Sequence, residues 1–352
     1  MSSVIGLDIG TSHIKAVELE KKDGESVLTR YAVVPQKKFF SDVGFWEMDD
    51  VGAAGKILKD FLHDYKFTAE KIVAVIPESL TFSRVMLMPV LDGKELTEAV
   101  NTEAKQNVPY PTEDLYLKYE VLSPINPKHH TKGKKIKVLI VAVRKKNVDR
   151  YLKIIEASGK IPAGIEPSSI STVRSLINGP AFDLPTLIVN LGYQNTEFYY
   201  AVDRKFLYAR SIGFGVSSVI KAISANLNVS HIKATQYLYA YGLKRNVLDG
   251  NLFEIIKPGV NVLGSEIEKS ERYIRSRDIF NSKDGISQVK RMIFTGGGAL
   301  IPELIGFIPE FTDDEISLAN SWESVNIKKV ANVSDLDRAS PLFSSAVGAA
   351  LK

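Results

Sequence analysis

Two stretches of one design, roughly half the chain apart, constrain the fold more than any other feature of the sequence. They are Gly6-Leu7-Asp8-Ile9-Gly10-Thr11-Ser12-His13-Ile14-Lys15 and Val189-Asn190-Leu191-Gly192-Tyr193-Gln194-Asn195-Thr196. Each runs an apolar strand into a short polar residue, a glycine and then hydroxyl or amide side chains. After the first, Ile14, Ala16, Val17 and Leu19 sit among polar residues and Val27 to Val34 is β-rich; after the second, Phe198 to Val202 and Phe206 to Ser211 flank a turn at Asp203-Arg204. Alternation bounded by turn residues predicts consecutive strands in both places. An amphipathic helix over Asp49 to Tyr65 and a buried strand over Ile72 to Ile76 complete a βββαβ block, and the second block also opens βββα. This order points to two similar halves around a cleft. No short repeat period occurs, which argues against a solenoid.

Between the blocks, Leu96 to Val108 reads as a helix opened by Asp92 and stopped by Pro109, and Leu115 to Leu122 and Ile136 to Val143 read as strands. Tyr151 to Ser158 ends a helix, Ile161 to Ile165 is a strand, and Ser168 to Ile177 is a helix with Ser168 as a candidate N-cap. Three helices from about Val216, Ile232 and Gly264 follow the second block. Met292 to Thr295 is then a short strand running into Gly296-Gly297-Gly298 and a helix with Pro302 in its first turns.

The polar residues at these turns suit a phosphorylated ligand. Asp8 at a strand end can hold a metal ion through water, and Lys15 can balance its charge. Gly10 allows close approach, and the Thr11 and Ser12 hydroxyls and backbone N–H groups can donate to phosphate. The glycine triplet between strand and helix permits backbone contact with a planar or charged ligand, but no Lys-Ser/Thr follows it, so it is not a Walker A loop. Taken singly, each could be a plain hairpin or turn. Other constellations are ordinary: the five histidines show no metal-ligand spacing apart from the adjacent loop pair His129-His130, and no Ser-His-Asp set can be argued. Tyr237, Tyr239 and Tyr241 alternate along one helix, so at most some of them face the core.

Composition excludes several classes. With 45 basic and 41 acidic residues the net charge is +4, which makes no case for a nucleic-acid binder. Lys128, Lys132, Lys134, Lys135 and Lys137 cluster around His129 and His130 and read as a solvated loop. With no cysteine there is no disulfide or thiolate metal site, as fits a reducing compartment. No run of about 18 apolar residues could span a membrane, the start does not read as a signal peptide, and the end carries no amphipathic tail.

The three glycine motifs, in this order, resemble the phosphate-1, phosphate-2 and adenosine motifs of the actin, heat-shock chaperone and sugar-kinase superfamily. Gly164-Ile165-Glu166-Pro167-Ser168-Ser169-Ile170-Ser171 is similar to its connecting segment. Further segments resemble the type IV pilus assembly family PilM, of the FtsA type: Ile76-Pro77-Glu78-Ser79, Met88-Pro89-Val90-Leu91, and Glu103 to Pro111, a Glu-rich helix running into an aromatic-proline turn. Phe343 to Leu351 is similar to that family's terminal helix.

The resemblance implies an α/β fold of duplicated actin-like (ribonuclease H-like) halves around a nucleotide cleft, with an inserted α+β subdomain in the first half. Its expected parts are 1–77 and 144–180 (first half and connecting helix), 78–143 (insert), 181–225 and 291–352 (second half) and 226–290 (a helical subdomain). It implies ATP and magnesium as cofactors, with nucleotide contacts at Gly10, Thr11, Ser12, Lys15, Gly192, Asn195, Thr196, Gly213, Gly296, Gly297 and Gly298. The metal falls to Asp8, and catalytic roles to Glu166 and Asn190. Two departures stand out. Asn190 replaces the family's usual Asp, so weak or absent ATPase activity is expected, and the ribose-contacting helix reads His231-Ile232-Lys233-Ala234-Thr235-Gln236, without a Glu.

The implied function is that of a cytoplasmic scaffold at the inner face of the cytoplasmic membrane. It would bind the N-terminal peptide of a PilN-like inner-membrane pilus protein in a groove between the first block and the insert, whose strands are expected to pair with the first block. Self-association is a further partner mode; no nucleic acid is expected, and membrane contact only through partners. An FtsA-like division protein and a type II secretion scaffold share the fold. A sugar kinase would need a substrate-side Asp, for which Asp149 and Asp183 are the nearest residues.

Overall fold

The computed structural model describes residues 3–36, 48–122, 135–177, 184–280, 288–328 and 333–352. Strands β1 (Ser3–Ile9), β2 (His13–Lys22) and β3 (Glu25–Pro35) form an antiparallel meander. Helix α1 (Val51–Asp64) crosses back, opened by Asp50, whose carboxylate accepts from the Ala53 N–H at 3.0 Å. It buries Leu58, Phe61 and Leu62 on one stripe, and β4 (Lys71–Ile76) then runs parallel to β1.

The chain next leaves this sheet. It builds β5 (Thr81–Pro89), α2 (Gly93–Asn107), β6 (Leu115–Val121) and β7 (Lys135–Arg144) before returning through α3 (Lys145–Ala157) to β8 (Ile161–Pro167), parallel to β4. The first sheet therefore has the order β3-β2-β1-β4-β8. Helix α4 (Ser168–Leu176) leads to β9 (Thr186–Leu191), β10 (Thr196–Val202) and β11 (Lys205–Ile212), another antiparallel meander. Its last turn is tight because Asp203 and Arg204 both take positive φ, of 50° and 60°. Helices α5 (Val216–Leu227), α6 (His231–Tyr241) and α7 (Asn251–Arg275) precede β12 (Arg291–Thr295), which is parallel to β9. The short α8 (Leu304–Phe307), β13 (Glu315–Leu318), α9 (Val333–Arg338) and α10 (Ser344–Ala350) complete the chain.

Strands β11-β10-β9-β12-β13 repeat the order and directions of the first sheet, which is the duplication expected from the two hairpins. Each half has its own apolar core. Helix α10 wedges its small residues against β1 and α4; a Cβ on Gly348 would stand 1.7 Å from the Ser171 carbonyl oxygen.

The insert docks differently from expectation. Its sheet, β5-β7-β6, extends the second half's sheet through the Arg84–Tyr208 pair between β5 and β11, and its strands do not pair with the first block. The cause lies at its first residue. The Glu78 N–H is bonded by Glu197 and Ser168, each at 3.1 Å, which turns the chain across the cleft as it leaves β4. Within the insert, α2 is opened by Asp92 as expected and buries Leu96, Val100 and Ala104.

Four local expectations also change. The segment Thr81–Pro89, for which no element is expected from the sequence, forms a strand. Helix α7 begins at Asn251 rather than near Gly264, because burial of Leu252, Phe253 and Ile256 overrides the break expected at Pro258. After the glycine triplet only a short turn forms, and Pro302 precedes α8 instead of entering it. Ser168 is the first helical residue and caps nothing. The loop residues Lys128, His129, His130, Lys132 and Lys134, and Asp183, lie outside the described residues.

Candidate functional site

The two predicted hairpins face one cavity of about 440 Å3 between the halves. They fold in the same register. The N–H of Gly10 donates to the His13 carbonyl at 3.0 Å and that of Gly192 to the Asn195 carbonyl at 3.0 Å, so each turn has two residues, Thr11-Ser12 and Tyr193-Gln194. The cross-strand pairs just behind the turns are Asp8 with Lys15 and Asn190 with Glu197. Asp8, Lys15, Asn190 and Glu197 all reach the cavity wall, together with Gly10, Thr11, Ser12, Gly192, Asn195 and the whole Gly296-Gly297-Gly298 triplet.

Thr196, Gly213 and Glu166 are not brought to this wall. Because the second turn has two residues, Asn195 is the counterpart of His13 and Thr196 that of Ile14. The Thr196 hydroxyl is buried and donates to the Phe214 carbonyl at 2.7 Å. Gly213 lies in the link between β11 and α5, whose first residue Val216 does line the cavity. Glu166 is buried and held by the Arg174 guanidinium, which also donates to the Gly348 carbonyl at 2.7 Å, and by Lys352 at 3.5 Å. Its carboxylate ties β8 to α4 and to Lys352.

The electrostatics of the two hairpins differ. Asp8 is neutralised by Lys15 at 2.6 Å. Asn190 has no such counter-charge; its Nδ2 donates to Glu197 Oε2 at 2.9 Å. Glu197 also accepts from the Tyr199 hydroxyl, from the Ser168 hydroxyl at 3.4 Å and, through Oε1, from the Glu78 N–H. Burial pushes the Glu197 carboxyl up, and the Tyr199 and Asn190 hydrogen bonds hold it back. Glu78, from the other side of the same network, is pushed up to about 7 by burial; the Ser169 hydroxyl opposes the shift and the nearby Glu197 adds to it. Glu78 stands out in the sequence only as part of the Ile76-Pro77-Glu78-Ser79 segment, and Glu197 is not among the expected site residues. The available signal was spacing: Glu197 follows Asn190 by the same interval at which Lys15 follows Asp8.

Gly296 sits directly behind Asn190. It holds φ +82°, and a Cβ there would stand 2.5 Å from Asn190 Oδ1, so only glycine lets the third motif close against the second.

A family model described as type IV pilus assembly protein PilM matches residues 6–352. The chain belongs to the PilM family. A solved PilM–PilN type IV pilus biogenesis complex contains a chain of similar fold: TM-score 0.83, 21% identity, 99% of this chain and 97% of that chain covered. The ethanolamine utilization protein EutJ from Carboxydothermus hydrogenoformans is also similar, at TM-score 0.56 and 12% identity over 100% of this chain and 90% of that one. So is MreB5 of Spiroplasma citri bound to AMPPNP, at TM-score 0.51 and 12% identity over 99% and 95%. These likenesses establish the actin-like fold.

Helix α6, whose first turns read His231-Ile232-Lys233-Ala234-Thr235-Gln236, presents Thr235 and Tyr239 to the cavity. The Tyr239 hydroxyl donates to the Gly297 carbonyl at 3.3 Å, and His231 at the start of α6 bonds the Tyr193 hydroxyl at 3.0 Å. Asp149, the nearest described candidate for a kinase-type acid, accepts from the Tyr116 hydroxyl at 2.9 Å on the insert side and does not line the cavity. Among the described residues no helix is long and apolar enough to cross a membrane, and no His, Cys, Asp or Glu cluster forms a metal site of protein ligands alone. A cation here would take water and phosphate oxygens beside Asp8, as magnesium bound to a nucleotide does.

Proposed function

We propose that this chain is a nucleotide-binding scaffold of type IV pilus assembly, cytoplasmic and seated at the inner face of the cytoplasmic membrane through a PilN-like partner. One observation carries the nucleotide reading: three separate glycine turns, from both halves, open into a single cavity with hydroxyls, two acids and a lysine on its wall. Thr11, Ser12 and the turn N–H groups suit phosphate, Asp8 suits water-held magnesium, and Thr235, Tyr239 and the triplet suit the nucleoside. The AMPPNP-bound MreB5 of like fold agrees with this. A ligand touching both halves favours their closed arrangement by its differential affinity. Turnover is slow, because the Glu197 carboxylate is already engaged by four donors and is not free to orient an attacking water.

The partner reading rests on the family and on the PilM–PilN complex of like fold. Strand β5 pairs with β7 along its length but with β11 only at Arg84, so the two strands splay around a cleft of about 630 Å3 lined by Arg84, Leu87, Tyr208 and Phe280. Free main-chain edges with apolar and aromatic walls suit an extended N-terminal peptide. Calorimetry tests both arms. Mg-ATP is expected to bind one to one, and a PilN-type N-terminal peptide to bind the wild type but not Leu87→Asp, which keeps its nucleotide. Absence of binding at millimolar ATP overturns the nucleotide reading; equal peptide affinity of the variant moves the partner site elsewhere.

A further inference from the structure

The pseudo-equivalence of the two hairpins bears on the missing acid at residue 190. Asp8 and Lys15 are a cross-strand pair of opposite charge, and Asn190 and Glu197 occupy the same two places in the second hairpin. The first pair is neutral overall; the second, with its carboxylate ionised, carries one negative charge, placed on β10 instead of β9, and the Tyr199 and Asn190 hydrogen bonds favour that ionised form against the burial that opposes it. Glu197 is buried and lines the nucleotide cavity, and its Oε2 takes the amide proton of Asn190 at 2.9 Å. This bond fixes the amide so that Asn190 Oδ1, an acceptor only, lies against Gly296 on the cavity wall.

We infer that Glu197 is the positioning residue that supplies the second half's negative charge to a nucleotide-bound cation, acting through the Asn190 amide it orients and polarises. The inference rests on the nucleotide reading above. A carboxylate one bond behind a polar ligand both orients it and makes its oxygen a better acceptor. The neighbours fit this role. The hydroxyls of Tyr199 and Ser168 and the Glu78 N–H hold the rest of the Glu197 carboxylate in place. Across the cavity, Asp8 has Lys15 as its own counter-ion, so Glu197 remains the unneutralised charge of the four hairpin residues. An Asp at 190 would instead set two carboxylates against each other at hydrogen-bond distance, which accounts for the amide at that place.

The test compares ATP affinity with magnesium and with chelator in four proteins: wild type, Glu197→Gln, Asn190→Asp and the swap Asn190→Asp/Glu197→Gln. Thermal melts of the ligand-free proteins serve as a second readout. Glu197→Gln is expected to lower the ratio of magnesium-dependent to metal-free affinity about tenfold, with metal-free affinity kept. Asn190→Asp alone is expected to lower the melting temperature. The swap, which returns the charge to β9 beside an amide on β10, is expected to restore both ratio and melting temperature. An unchanged ratio in Glu197→Gln overturns the inference while leaving the nucleotide reading intact. So does a folded swap variant that keeps the low ratio, since Glu197 would then merely brace the strand. Should Glu197→Gln fail to fold, the ratio in the swap decides alone. A wild type that binds no nucleotide overturns both readings.

Discussion

The two hairpins that face the cleft share a register and differ in chemistry. In the first, Asp8 and Lys15 form an ion pair at 2.6 Å whose side chains are 14% and 19% exposed, so the pair stays in reach of solvent. In the second, Asn190 and Glu197 form an amide–carboxylate pair inside a buried network with Tyr199, Ser168 and Glu78. Duplication fixed the backbone while the charge was redistributed between the strands. The first hairpin neutralises its own acid. The second leaves its acid unneutralised and surrounds it with neutral donors, a balance that depends on close packing and on the protonation state of the neighbouring Glu78.

The sharpest way to break the second hairpin without touching its side chains is Gly296→Val. Among the described residues the first hairpin has no glycine of this kind behind it. At φ +82° a branched side chain is strained, and its Cβ would press on Asn190 Oδ1 at 2.5 Å and the Leu191 carbonyl at 2.7 Å. Strain and overpacking together predict a loss of roughly 3–4 kcal/mol, measured by denaturant unfolding. Retained stability would mean that the third motif can retreat from the second at little cost.

The next effect separates the hairpins by pH. Folding raises the Glu78 carboxyl from an ordinary 4.5 to about 7. A carboxyl raised in this way costs nothing while it is protonated in both states, below its unfolded pKa. Native stability then falls as pH rises from about 4.5 and stops falling above the folded pKa. Glu78→Gln removes that fall, so the variant should equal the wild type near pH 4 and exceed it by on the order of 3 kcal/mol at pH 8. Stability curves across this range provide the check; parallel curves for the two proteins would show that Glu78 ionises without penalty beside Glu197.

These contrasts also mark what could be read from the sequence. The strand–glycine–turn design and the βββα order are local patterns of period two with glycine punctuation, and they made the fold and the glycine turns that face the cleft legible. Three features were not local. Which turn residue matches which depends on turn length, so Thr196 resembles Thr11 in the sequence although the register makes it the counterpart of Ile14. Glu166 looked like a crossing acid because its partners, Arg174 on the next helix and Lys352 at the far end of the numbering, are brought to it only by packing. The insert's docking onto β11 rests on a strand pairing between residues 84 and 208, which no local pattern encodes. Glu197 was within reach of sequence reasoning, since both hairpins place a charged residue at the same interval after the strand-end polar group.

The smallest effect compares the turns themselves. In an open backbone conformation, replacing Gly by Ala stabilises by about 0.4–1 kcal/mol through the unfolded chain. At Gly10 a Cβ would come to 3.2 Å from the His13 carbonyl oxygen, a contact that a shift of a few tenths of an ångström relieves. At Gly192 the equivalent Cβ would come to 2.8 Å from the Asn195 carbonyl oxygen, the acceptor of the bond that closes the turn, so backbone must move. Gly10→Ala is therefore expected to be near neutral, and Gly192→Ala to destabilise by about 1 kcal/mol net, the overpacking cost exceeding the entropic gain. Paired denaturant melts of the ligand-free variants read the difference directly. Equal values would mean that the second hairpin yields as easily as the first, and the smaller space beside Gly192 would then have no energetic consequence.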